Sequence, residues 1–468
     1  MMILLGLYLF TLAGFVALLM VWQHASGRHE ILSLRNIALV GLILFQITSV
    51  GLRMINENYD YFRLQDPGAA GLEFAAFVTI FFIVFALSYR WGPLAGKVAA
   101  RVPRVPETNN PMALIGLAIL LTLLAVPLRF AVNVPVLGVV ADFLGVATAA
   151  MACGLLGWVW APRLLNPAYA GIALFFVAAN LVTVMTGSFG RRSIVAVFGC
   201  MVWGMYFAHW RYLPTRTLLT RLALLSAGPL LFVALYTSVR SAAEHDRSAG
   251  DHISAMQTTG SVATGVAKLI DGQATGPASL WLIENYPESY EPRHLFTLRY
   301  FFALNVPRML WPGKPEPQSV LIADQANIQR VQQDRIKLSC GIVGVAAAEG
   351  GWYAIIVYGL CLGVFVRVFD EIVRHQPTTP FIVLPVGAAL GQILGLARGD
   401  TSTFANTYFI TTLGALAIMI PVGRFMARFN ADAIAGYDGY DDYTEDGVGP
   451  GHDDPEGWRA EGSPDYAA

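Results

Sequence analysis

In this chain of 468 residues, the side chains able to handle charge at a membrane boundary fall in a few short stretches. One is Asn305-Val306-Pro307-Arg308-Met309-Leu310-Trp311-Pro312-Gly313-Lys314-Pro315. Its three prolines forbid a continuous helix, and two permanent cations, Arg308 and Lys314, flank the amphipathic Trp311. Arg191 and Arg192 follow the turn Gly187-Ser188-Phe189-Gly190, Arg240 closes an apolar run, and Arg398 opens Arg398-Gly399-Asp400 between the last two apolar runs. Arginine forks take phosphate oxygens two at a time. Six cations from four chain positions, brought together, would hold a diphosphate and stabilise it as a leaving group. The plainer reading of each is a cation snorkelling at a helix end.

Glu349 is the one acid that stands out. It lies in Gly344-Val345-Ala346-Ala347-Ala348-Glu349-Gly350-Gly351-Trp352, at the mouth of an apolar run. A carboxylate there is costly unless it is paired or works. As a general base it would take a proton from a sugar hydroxyl; as a structural group it would pair with an arginine. Glu284, His294 and His245 are weaker candidates for the base. No DxD faces the same side and there is no HExxH, so no metal-ligand set is expected. There is no Walker motif, so neither a cofactor nor nucleotide hydrolysis is expected.

These residues need elements to hold them, and composition says which. The chain is 55% hydrophobic and 13% charged, with mean hydropathy +0.54. Soluble domains carry about a quarter charged residues, so this is an integral membrane protein. A net charge of -1 gives no reason to expect nucleic acid. Cys153, Cys200, Cys340 and Cys361 show no CxxC spacing, which argues against a zinc site or a disulfide framework.

Apolar runs near spanning length appear at about 2–22, 36–55, 70–89, 111–131, 136–161, 168–186, 193–210, 218–239, 351–369, 380–397 and 403–424. Only helices satisfy the backbone in hydrocarbon, so the expected fold is an all-α polytopic membrane protein of about eleven spans. The first run lacks a cationic leader and reads as a retained helix. Domain boundaries follow: spans 1–8 over 1–239, a large loop over 240–350, spans 9–11 over 351–429, and a tail over 430–468. That tail is acidic and glycine-rich, a composition that predicts disorder.

Orientation follows from cations in short loops. Alternate connections hold Arg28, Arg35, Arg90, Lys97, Arg101, Arg104, Arg163, Arg211, Arg216, Arg221, Arg367, Arg374, Arg424 and Arg428. The opposite short connections hold Arg53, Arg63, Arg129, Arg191, Arg192 and Arg398. Fourteen against six predicts a cytoplasmic C-terminus, an N-terminus outside and the large loop outside. Within that loop, Ile253 to Leu269 is spaced as one helical face, Pro277 to Asn285 as a short helix, and Arg293 to Leu304 as an interfacial or re-entrant helix. Ser319 to Leu338 reads as a mobile lid.

The Pro307-Arg308-x-x-Trp311-Pro312-x-Lys314-Pro315 element, the small-residue stretch with Glu349, Gly190-Arg191-Arg192 and Arg398 resemble the bacterial O-antigen and exopolysaccharide polymerases of the Wzy type. The layout of many spans with one large extracytoplasmic loop also fits, and the resemblance covers roughly residues 180–420. It implies a GT-C-like glycosyltransferase of the cytoplasmic membrane. Such an enzyme takes a glycan from a polyprenyl diphosphate donor and joins it to another lipid-linked repeat unit outside the membrane, without a metal. Its implied partners are that lipid-linked oligosaccharide, the lipid bilayer, and a chain-length regulator and flippase of the same pathway. Arg240, Arg308 and Arg398 match positions where such enzymes place functional arginines; the resemblance does not settle the base. The rival readings are an O-antigen ligase, a membrane transpeptidase using Cys340, and a non-enzymatic transporter or flippase.

Overall fold

The computed structural model of the chain describes every residue except 109, 132–137, 186–190, 241–248, 272–274, 307, 329–337 and 439–468. The described residues are helices and their connections, in the order α1 Met2–Ala25, α2 Leu34–Asn56, α3 Pro67–Arg90, α4 Pro93–Ala99, α5 Pro111–Phe130, α6 Gly138–Trp160, α7 Pro167–Met185, α8 Arg191–Ala208 and α9 Thr215–Arg240. The long segment that follows carries α10 Ala249–Thr258, α11 Val262–Asp271, α12 Thr275–Asn285, α13 Phe296–Ala303, α14 Gln318–Gln325 and α15 Ile342–Gly350. The chain continues through α16 Trp352–His375, α17 Pro380–Gly387, α18 Leu390–Gly395 and α19 Thr401–Asp438.

Among the described residues, nine helices are long and apolar enough to cross a membrane: α1, α2, α3, α5, α6, α7, α9, α16 and α19. The other two of the eleven apolar runs are helical as well. Helix α8 is 18 residues long, with the two arginines at its start diluting its apolar content. The run 380–397 is split into α17 and α18 at Ala388 and Ala389, where Ala389 leaves helical geometry. Large apolar side chains point outward on α1 (Leu4, Phe15, Leu18), α5 (Leu120, Leu123) and α9 (Leu224, Leu230). In water that surface would be a liability; in lipid it is the expected exterior.

Two seams form the core. Helices α6 and α8 pack so closely that a Cβ on Gly204 would strike the carbonyl oxygen of Gly154, and one on Gly157 that of Met201. Helices α3 and α16 form the second, lined by Phe74, Phe81 and Phe85. Small residues at such contacts let backbones approach, the usual way helices associate in lipid.

Each set of short loops gathers at one end of the bundle. At one end, Asp370 of α16 accepts from the backbone N–H groups of Leu34 (2.7 Å) and Arg35 (3.1 Å) and from the Tyr89 hydroxyl (2.8 Å). Glu30 there meets Arg211 and Tyr206, and Gln376 accepts from the Val105 N–H at 2.9 Å. At the other end, Glu284 of α12 accepts from the N–H groups of Gln65 (2.7 Å) and Asp66 (2.5 Å), and the N–H of Gly276 donates to Ser49.

Some boundaries differ from the sequence reading. The single helical face expected over 253–269 is two helices, α10 and α11; the chain turns at Gly260, where a Cβ would strike the Met256 carbonyl oxygen, a geometry that glycine permits. Helix α19 continues to Asp438, past the expected break at Asn430, through the alanine-rich Ala431, Ala433 and Ala435. The first half of the expected lid is helix α14 and the turn after it, packed down through the buried Ile322, Ala323 and Ile328; residues 329–337 and the tail beyond 438 lie outside the described residues.

Candidate functional site

Helix α13 is the centre of the far end of the bundle. Leu295, the residue before it, has φ +48°, and no side chain of its own segment caps the helix. Its first-turn N–H groups need an acceptor from elsewhere. Glu349 supplies it. The backbone N–H of Thr297 donates to both carboxylate oxygens, at 2.9 and 3.1 Å, and the Thr297 hydroxyl donates at 2.6 Å. The Tyr358 hydroxyl donates to the same carboxylate. Glu349 is 0% exposed. Burial pushes its carboxyl up from the ordinary range, the bonds from Thr297 and Tyr358 pull it back, and the charge of Asp400 adds to the rise.

The far end of α13 is fastened by a cation. Lys314 Nζ donates to the carbonyls of Leu304 and Val306, both at 3.0 Å, and lies 5.9 Å from the Tyr300 ring centroid. A cation suits the negative end of a helix. Burial, then the neighbouring Arg308 charge, push its ammonium pKa down. Between the two ends, Asn406 of α19 donates to the Phe301 carbonyl at 2.9 Å. The proline-rich loop and Glu349 thus clamp one short aromatic helix against α16 and α19.

Arg308 is half-exposed and pairs with Glu316 at 2.7 Å. Arg192 lies 4.8 Å from the Phe404 ring centroid and reaches Gln392 Oε1 at 3.3 Å. Arg191, beside it, is half-buried. Arg398 sits 5.8 Å from the ring of Phe45, and its carbonyl accepts from the Gly341 N–H at 3.0 Å. Phe45 and the buried Gln46 belong to a π-helical turn of α2, Ile43–Thr48. Such one-turn irregularities are frequent at functional sites. The side chain of Arg240, together with Pro307, His245 and the turn before Arg191, lies outside the described residues.

Asp400 links these cations, and the sequence reading passed over it as part of a turn. Its charge acts on Tyr300, on Glu349 and on Cys340, and that of Arg308 also acts on Tyr300. Its Oδ1 accepts from Ser402 at 2.5 Å and it remains half-exposed. Phe404, which carries Arg192, is one turn further along α19. Arg398 and Arg192 lie near Asp400, along the chain and through Phe404 respectively, and Lys314 and Arg308 lie beside Tyr300, which the Asp400 charge reaches; these four cations are termed the rim. The available signal was a carboxylate placed next to Arg398 at the membrane boundary.

Two cavities lie on opposite faces of α19, and Arg192 of the rim lines the first. One, of about 220 Å³, is lined by Asp142, Arg192, Ser193, Gln392, Thr407 and Thr411; Asp142 is paired with Arg129. The other, of about 170 Å³, is apolar and is lined by Leu298, Phe301, Phe302, Cys361, Leu362 and Phe365. Cys340 lies outside both and is 1% exposed, its thiol pushed up by burial and by Asp400, which makes it a poor nucleophile. Glu284 is engaged by the two backbone N–H groups named above, and His294 meets the Tyr353 hydroxyl. Comparison of the chain with family models, with curated proteins and with solved structures found no match.

Proposed function

We propose that the protein is a GT-C-like membrane glycosyltransferase that joins polyprenyl-diphosphate-linked oligosaccharide repeat units into a surface polysaccharide. The observation that carries this reading is the set of rim cations, Arg192, Arg398, Lys314 and Arg308, with an apolar crevice under α13 whose lining includes Thr401 and Ser402, the two residues after Asp400. A lipid diphosphate needs both: charge for the diphosphate, and an apolar channel for the tail. On this reading the chain crosses the membrane eleven times, with α8 and the α17–α18 pair as the two less apolar crossings. The rim faces outward and the C-terminus lies in the cytoplasm. The opposite ends at which the two loop sets gather support that topology.

In the proposed reaction a hydroxyl of the acceptor sugar attacks the anomeric carbon of the donor glycan. The bond from that carbon to the diphosphate oxygen breaks, and the polyprenyl diphosphate leaves with the electron pair. Arg308 exchanges Glu316 for phosphate oxygens, and Arg398, Arg191 and Arg192 share the charge that develops. Lys314 and Glu349 act through α13, which they hold in place. The half-exposed Asp400 takes the hydroxyl proton. Arg240 ends α9 and, by the resemblance, joins the donor-binding set.

The test is the lipid-linked glycan profile of a deletion strain. Single repeat units should accumulate and polymer should vanish; the parent gene should restore polymer, and an Arg308→Ala copy present at equal level should not. Normal polymer in the deletion strain would refute the reading. A second reading, a non-enzymatic lipid-glycan transporter, draws on the break at Ala388–Ala389 beside the polar cavity, since broken helices at a cavity are a transporter feature. Purified protein in proteoliposomes separates the two: chain lengthening indicates the transferase, and movement of unlengthened glycan across the bilayer indicates the transporter.

A further inference from the structure

A second charged cavity lies at the end of the bundle remote from α13. Its volume is about 550 Å³, and its walls include Arg28, His29, Glu30, Arg211, Asp370 and Arg374. That volume is within the range of small-molecule sites, about 300–1,000 Å³.

Three arginines and two carboxylates line it. The nearby carboxylates are already engaged. Asp370 accepts the two N–H groups of α2 and the Tyr89 hydroxyl. Glu30 is held by Arg211 at 3.2 Å and by Tyr206, and Glu371 by Arg367 at 2.7 Å. The guanidinium groups are less committed. Arg28 rests 4.8 Å from the Trp22 ring centroid, with no carboxylate partner among the described residues. The Arg374 side chain is 61% exposed, and its nearest carboxylate oxygen is 3.9 Å away. Arg35 and Arg367 both lie against Tyr89, at 5.3 and 5.2 Å from its ring centroid.

His29 reports the field. Burial first, then the charges of Arg35, Arg367, Arg374 and Arg90, lower its pKa to about 4. It is therefore neutral at physiological pH, and adds a hydrogen-bonding ring to the wall without adding charge.

We propose that this cavity is a binding site for a phosphate-bearing ligand, held by Arg28 and Arg374 at the mouth and by Arg211 within. The proposal does not depend on the glycosyltransferase reading, which uses the other end of the molecule. A phosphate could arrive as the headgroup of an anionic phospholipid or as a soluble phosphate compound, and the two sources are separable by experiment.

Full-length protein is placed in phosphatidylcholine nanodiscs. In one arm, phosphatidylglycerol replaces part of the phosphatidylcholine, and retained lipid is counted by native mass spectrometry. In the other, inorganic pyrophosphate is titrated from the aqueous phase and melting temperature is followed. Selective retention of phosphatidylglycerol identifies a lipid headgroup site; a saturable pyrophosphate shift identifies a soluble ligand. In whichever arm responds, Arg28→Gln and Arg374→Gln should each weaken binding about tenfold, the loss expected for one charge-assisted hydrogen bond. Both side chains are at the mouth, so the unliganded variants should melt with the parent. Arg374→Lys, which keeps the charge but loses the fork, covers the case in which Arg374→Gln does not fold, and should show an intermediate loss. No selectivity in either arm, or unchanged affinity in the Arg28→Gln and Arg374→Gln variants, would overturn the proposal.

Discussion

A carboxylate that is fully buried and already accepts three hydrogen bonds, from the Thr297 N–H, the Thr297 hydroxyl and the Tyr358 hydroxyl, is out of a substrate's reach. Glu349 is in that state, whereas Asp400 is half-exposed on the rim. Their variants should therefore fail differently. Glu349→Ala strands the Thr297 N–H and the Tyr358 hydroxyl, at a cost of about 3 kcal/mol. It should lower melting temperature and lose polymer in proportion to folded protein, and Glu349→Gln should do so less. Asp400→Asn should melt near the parent, bind lipid-linked donor, and turn over about 10²–10⁴-fold more slowly, the usual contribution of a positioned base. A Glu349→Gln protein that melts normally but is inactive would reverse the two roles. Residue types alone did not separate these acids. Glu349 looked accessible because its neighbours in sequence are small, and the groups that cover it come from 52 positions away in the case of Thr297. Lys314 likewise read only as a ligand cation, although two of its three N–H donors go to the carbonyls of Leu304 and Val306.

Among elements, the α6–α8 seam has little room. Backbone meets backbone at Gly154 and Gly204, so no rotamer change can relieve a larger side chain. Gly204→Leu should separate the two helices and, through α8, displace Arg192 from the rim; overpacking of this kind costs about 1–3 kcal/mol or more. Gly228 of α9, where an added Cβ meets nothing within 4 Å, is the control. Size-exclusion profiles of the two variants should show loss of the monodisperse peak for Gly204→Leu and a parental profile for Gly228→Leu. Equal profiles would mean that the seam yields. The helical character of these elements was legible from their hydropathy. The seam was not, because a glycine in an apolar run carries no sign of which helix will approach it. The break at Ala388–Ala389 was hidden for a related reason: alanine favours helix locally, and tertiary packing overrides it.

For the whole molecule, hydropathy and the alternation of loop charge were the strongest signals. The loops of the cation-rich set do gather at one end, around Asp370 and Glu30. A reporter fused after Pro287 should read as extracytoplasmic, and one fused at the C-terminus as cytoplasmic. Both reporting from one side would exclude an odd number of crossings between them and with it the eleven-span topology. Composition and spacing offered Arg191, Arg192, Arg240, Arg308, Lys314 and Arg398 only as an ensemble, with no sign of which neighbours each would meet. The aromatic rings and the carboxylate that set their spacing, Phe404, Tyr300, Phe45 and Asp400, belong to helices that meet only in the folded chain.

The π-helical turn of α2 has a consequence for how the protein tolerates change in length. A π turn holds one residue more than the α turn it replaces. Dropping a residue from an ordinary span rotates everything beyond it by about 100° and turns lipid-facing side chains inward. Within Ile43–Thr48, loss of the half-exposed Leu44 would instead restore a regular helix and leave both flanks in phase. It would also draw Phe45 and Gln46 away from Arg398 and Gly341. A chain lacking Leu44 should therefore accumulate in the membrane at near-parental level yet make little polymer, while one lacking Leu39, outside the turn, should not accumulate. Immunoblots of membrane fractions and glycan gels read both outcomes. Equal loss of protein in the two deletions would mean that the turn confers no such tolerance.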